Sequence, residues 1–122
     1  MKLHASSVSR LHAFTGYGEG YVLVNGQRRE TSLLVTPERL LDWAPASFAG
    51  LDEAHFALIA ELRPEVVLLG TGARQRFPHP RLTAPLARAG IGLEVMDVQA
   101  ACRTYNILVA EERKVAAALL FE

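Results

Sequence analysis

Cysteine is nearly absent: Cys102 is the only one in 122 residues. It has no partner in the chain, so an internal disulfide is excluded and a reducing compartment, the cytoplasm, is the expected setting. Long apolar runs are missing too. The longest, Val115 to Phe121, falls far short of the roughly 20 residues a membrane-spanning helix needs. Excess charge of either sign is lacking, with 13 Lys and Arg against 13 Asp and Glu. A neutral chain has no broad basic face, which argues against non-specific binding to nucleic acid or an anionic membrane. The 9 Gly and 6 Pro are close to average usage, so low-complexity and collagen-like readings fail. The four histidines, His4, His12, His55 and His79, include no i, i+4 pair and no acidic companion at ligand spacing, so no metal is expected. Neither a Gly-x-Ser-x-Gly elbow nor a Gly-Lys-Ser/Thr phosphate loop occurs. There is no internal repeat and no linker.

What is present suits one small soluble domain over residues 1–122: half the residues are apolar and 21% are charged. Met1 to Gly18 contain no acid, three Ser, Lys2 and Arg10. The composition touches on that of a transit peptide, but no apolar region or cleavage pattern accompanies it, and it reads as an ordinary N-terminal arm.

Asn25-Gly26 separates Tyr21–Val24 from a β-prone stretch, Arg28–Val35, and marks a hairpin, because a type I′ turn needs positive φ at both central residues. Thr36-Pro37-Glu38 reads as the start of a brief helix ending by Trp43 or Ala44. Pro45–Leu51 then forms a loop that leaves Trp43 and Phe48 near the surface or over a core edge. Asp52 caps a helix to about Arg63, with Phe56, Ile59 and Leu62 at helical spacing and Leu58 widening the face. Val66–Leu69, ending in Gly70, reads as a strand buried on both faces. Thr83 is the expected cap of a third helix, with Pro85 in its first turn and Gly90 closing it. Leu93–Met96 is a strand. Asp97 caps a helix from Val98 to about Glu111, whose Val98, Ala101, Cys102, Tyr105 and Leu108 share a face. Val115–Phe121 closes the chain as a strand, with a helical continuation left open by its three alanines. Strands alternating with helices predict an α/β three-layer sandwich around a mixed sheet, with an N-terminal β-hairpin.

Few residues offer chemistry. Gly70-Thr71-Gly72 follows a buried strand, where open α/β sheets place ligands. It is no dinucleotide fingerprint, since the third glycine would fall at Gln75, and Pro78 and Pro80 discourage an immediate helix. Arg74 and Arg76 beyond it are candidates to grip a small anion or an acidic segment. Asp97 is first a helix cap and second a carboxylate facing that loop. Cys102 sits on an apolar helix stripe, where core packing outweighs nucleophilic chemistry. Asn106 is an unfavourable mid-helix residue, which suggests that its amide stitches the helix to a neighbouring segment, with ligand contact as the alternative.

Taken in order, Gly70-Thr71-Gly72, Glu94-Val95-Met96-Asp97, the run Ala101 to Leu108, Glu111 with Arg113, and Val115-Ala116-Ala117-Ala118-Leu119 resemble one family. It is a domain-of-unknown-function family of bacteria and archaea that also contains the mitochondrial NADH dehydrogenase (complex I) assembly factor 3. Gly16-Tyr17-Gly18, Asn25-Gly26 and Trp43 extend the resemblance. It implies a compact three-layer α/β domain, no established catalytic residues, and a protein-binding assembly role near a membrane without spanning it. Two positions depart from the family pattern. Val98 stands where Thr is usual, and Glu112 where Gly is usual; a left-handed cap there costs a non-glycine residue about 1 kcal/mol.

The expectation is therefore a non-enzymatic protein-binding or assembly factor without cofactor, contacting its partner protein through the Trp43–Phe48 loop or the Gly70–Arg76 loop. The alternative is a small-ligand or anion-binding domain, a cryptic enzyme in its extreme form. It would use Gly70, Thr71, Gly72, Arg74 and Asp97, with Asn106 or Arg113. The sequence leaves a homo-oligomer open.

Overall fold

The computed structural model describes residues 11–122, and the expected N-terminal arm lies largely outside them. Five short strands come first: β1 (Phe14–Gly18), β2 (Tyr21–Val24), β3 (Gln27–Arg29), β4 (Leu33–Val35) and β5 (Leu40–Asp42). A 3-10 turn (Phe48–Gly50) and α1 (Glu53–Glu61) follow. Then come β6 (Val66–Thr71), α2 (Pro80–Arg88), β7 (Gly92–Met96), α3 (Val98–Ala110) and β8 (Val115–Leu120). Strands β1-β2-β3 make an antiparallel sheet, and a five-stranded sheet has the order β5-β4-β8-β6-β7. In the latter β6 runs parallel to β7 and β8, while β4 is antiparallel to β5 and β8, so the sheet is mixed.

Alternation along the central strands explains the layers. Leu68, Val115, Ala117 and Leu119 face one way, into a core shared with Ala101, Cys102 and Tyr105 of α3 and with Phe14, Val22 and Val24 of the small sheet. Val67, Leu69, Ala116, Ala118 and Leu120 face the other way, onto Phe56 and Ile59 of α1 and Leu86 of α2. A sheet covered on both faces needs apolar residues at every position, which is why β6 and β8 read as unbroken apolar runs. Phe56, with 0% of its surface exposed, shows the scale: burying such a side chain contributes about 1.5–3 kcal/mol.

Several local expectations hold. Asn25 and Gly26 have φ of +49° and +84° and join β2 to β3, and Asp52 caps α1 through Ala54 N at 3.4 Å. Gly90, at φ +73°, closes α2.

Others are corrected. Arg28–Val35 is two strands in different sheets, β3 and β4. Thr36-Pro37 starts no helix; it turns β4 into β5, with Thr36 N donating to Arg39 O at 2.8 Å and Thr36 Oγ1 accepting from Arg39 N at 3.0 Å. Proline fits the second position of such a turn as well as a helix start, and pairing of Leu34 with Leu41 decides between them. Trp43 N extends that pairing to Ser32 O at 3.1 Å, which carries the indole inward, 3% exposed, against Phe56. Leu58 is exposed rather than widening the buried face of α1. The cap of α2 is His79, whose ring accepts from Arg81 N at 3.0 Å, and Pro80 takes the first position. Thr83 and Pro85 lie further inside that helix.

Candidate functional site

The carboxyl ends of β6, β7 and β8 lie side by side, since Gly70 pairs with Met96 and Leu119. From there β6 leads into α2 on one face of the sheet and β7 into α3 on the other, the arrangement at which open sheets bind ligands. The glycine loop is positioned here, but it spends its polar groups on itself. Thr71 is fully buried; its hydroxyl donates to Arg74 O at 2.7 Å and accepts from Arg76 N at 2.9 Å. Gln75 Nε2 donates to Val95 O at 2.8 Å, and Gly72 O accepts from Val98 N at 2.9 Å. Gly70 is glycine because α3 lies against it: a Cβ there would sit 2.8 Å from Leu119 Cδ2 and 3.2 Å from Val98 Cα. Gly72 has φ +89°, and a Cβ would meet Glu122 O at 2.7 Å.

Glu122 fastens this end of the molecule. Its carboxylate accepts from the Arg76 guanidinium and from Phe48 N, and these bonds, Arg76's foremost, hold its pKa below the ordinary carboxylate value. Arg76 also lies over the Phe48 ring, 4.6 Å from its centre. The two loops expected as contact surfaces are thereby one surface. Next to Arg76 in the chain, Phe77 stands 70% exposed, the most exposed large apolar side chain among the described residues. Arg74 is exposed as well and forms no ion pair among those residues.

A cleft of about 470 Å³ opens between Gly72 and the β1–β2 turn. Glu19, Glu30, Asp97 and Glu122 contribute to its lining. Asp97 serves as the α3 cap, its Oδ1 accepting from Ala100 N at 2.9 Å. Glu30 and Glu122 are paired with Arg28 and Arg76, while Glu19 and Asp97 form no ion pair among the described residues. The concavity beside the glycine loop is therefore net negative and does not suit an anion.

Two remaining sequence candidates lie elsewhere. Asn106 stands eight residues after Val98, about 12 Å along α3, and its amide is used by β1: Phe14 N donates to Oδ1 at 2.9 Å while Nδ2 donates to Phe14 O at 2.7 Å. Beside it Arg103 donates to Tyr17 OH at 3.0 Å and Tyr105 OH donates to His12 O at 3.0 Å. Arg113 pairs with Glu65 at 3.1 Å, ahead of β6 and so at the end of the sheet opposite Gly70. Glu65 is held below its ordinary pKa first by Lys114 N and then by Arg113. Cys102 is fully buried, and burial pushes its thiol up to about 12, which removes the thiolate a nucleophile requires.

The model of the family described as protein of unknown function (DUF498/DUF598) matches residues 14–120, from β1 through β8. The chain belongs to this family. In Danio rerio, NADH dehydrogenase [ubiquinone] 1 alpha subcomplex assembly factor 3 is 33% identical over 98% of this chain and 68% of that protein. A crystal structure of a Bordetella parapertussis protein has a TM-score of 0.87 at 42% identity, covering 92% of this chain and 97% of that one. A Mth938-like domain of Bordetella pertussis, solved by NMR, has a TM-score of 0.77 at 37% identity over 91% and 86% of the two chains. The two solved structures share this chain's α/β fold, and no helix among the described residues is long and apolar enough to cross a membrane. Sequence reasoning missed Phe77, which hides among prolines, and Glu122. A usable signal existed: from Thr71 to Leu93 there is no acid, and Phe77 interrupts a run of arginines.

Proposed function

We propose that this protein is a non-enzymatic, single-domain assembly factor that works by binding another protein through the joined Phe48–Phe77 surface. The carrying observation is Phe77, a large apolar ring 70% exposed, three residues along the chain from the exposed Arg74. An exposed aromatic next to arginine is the composition enriched at interface hot spots. Pro78 and Pro80 restrict the backbone after the ring, lowering the entropy lost on docking. Relatives named as assembly factors support the protein-binding class. The lone reduced thiol, Cys102, supports a cytoplasmic setting.

A photo-reactive phenylalanine analogue at position 77 tests the reading in the native cell. A discrete cross-linked protein is expected, absent when the analogue replaces Gln99 and lost with Arg74→Glu. Equal labelling from both positions, or none from 77, overturns it. No single observation favours the small-ligand alternative, because the glycine loop is internally satisfied.

A further inference from the structure

Between Thr71 and Leu93 the chain carries four arginines and no Asp or Glu. Two are spent, Arg76 on Glu122 and Arg88 on Glu53. Arg74 and Arg81 are exposed and form no ion pair among the described residues, and Phe77 lies between them in the chain. The N-terminus of α2 opens at the same segment and adds the positive end of a helix dipole. A molecule with zero net charge thus carries, on the chain segment that holds its most exposed ring, two exposed arginines without an ion pair and no acid. Arg74 acts on the nearby Glu122 carboxylate only at longer range.

We infer that the Phe77 surface recognises an acidic protein segment carrying an apolar side chain: the apolar group packs on the Phe77 ring while Arg74 and Arg81 pair with flanking carboxylates. This inference rests on the protein-binding reading and names the chemistry of its partner. Guanidinium forks match carboxylates two bonds at a time, whereas a basic segment would meet uncompensated repulsion here. An anionic bilayer is the weaker occupant. Two free guanidiniums and one ring supply little of what membrane retention requires, and the segment's other two arginines, Arg76 and Arg88, are already paired.

The test uses the full chain labelled with nitrogen-15 and a short synthetic peptide alternating Glu with Leu. Backbone amide shifts confined to residues 73–82 are expected. Binding should weaken about tenfold between low and high salt, as screening of exposed charge requires. Arg74→Glu with Arg81→Glu should abolish the shifts, and Phe77→Ala should weaken binding, with the rest of each spectrum unchanged as proof of folding. A matching Lys-Leu peptide should leave residues 73–82 unmoved. The inference is overturned if the Lys peptide shifts them equally, if the Glu peptide does not, or if phosphatidylglycerol vesicles perturb them where the Glu peptide fails. A position-77 cross-link to a protein, obtained while the Glu peptide fails, would leave the protein-binding reading standing and remove only this partner chemistry.

Discussion

Glu112 occupies φ +62° just after α3, a conformation glycine adopts without the Cβ penalty. Glu112→Gly is expected to raise stability by up to about 1 kcal/mol, offset in part by the freer unfolded chain. A rise in the urea midpoint with unchanged slope would confirm it, and a fall would show that the Glu side chain has a role of its own. Asn106→Ala should act in the opposite direction. It strips partners from both backbone groups of Phe14, and each such loss costs about 1–3 kcal/mol where water cannot replace it. Faster hydrogen exchange at the Phe14 amide, ahead of global unfolding, is the readout.

At the scale of elements, α3 can lie close to β6 because position 70 has no side chain. Gly70→Ala is expected to push the helix outward and destabilise by about 1–3 kcal/mol, measurable by thermal unfolding. The tie from Glu122 to the Phe48 turn and the Arg76 loop gives a pH prediction. The folded-state pKa of Glu122 lies below its ordinary 4.5, so its stabilisation is complete above that value and is lost as pH falls through the folded pKa. Glu122→Gln should therefore flatten the acid limb of stability against pH, leaving neutral-pH folding intact. An unchanged limb would assign the acid sensitivity to other carboxylates such as Glu65.

Legibility in the sequence followed the range of the forces. The Asn25-Gly26 turn, the Asp52 and Asp97 caps and the two-faced strands β6 and β8 depend on neighbours in the chain or on plain alternation, and they were readable. The turn at Thr36 was not, because cap and turn use the same residue types and only pairing of Leu34 with Leu41 distinguishes them. Of the candidate site, the two contact loops were visible singly. Their union depends on Glu122, 46 positions from Arg76 in the chain, which no local pattern announces.

Across the whole molecule, two cores back onto one sheet and share β6 and β8. They should unfold together. Trp43 reports on one face through fluorescence, and Cys102, shielded with its thiol held near 12, reports on the other through thiol labelling. Coincident urea transitions are expected; an earlier loss of thiol protection would show that the face with α3 opens by itself.

The carboxamide of Asn106 occupies the outer edge of β1 as a neighbouring strand's peptide group would, meeting both the donor and the acceptor of Phe14. A bare margin of that sheet would invite a second molecule to add its own strand, the opening step of fibril growth. One side chain thus closes that margin at Phe14, the point where an added strand would have to find its first free donor and acceptor.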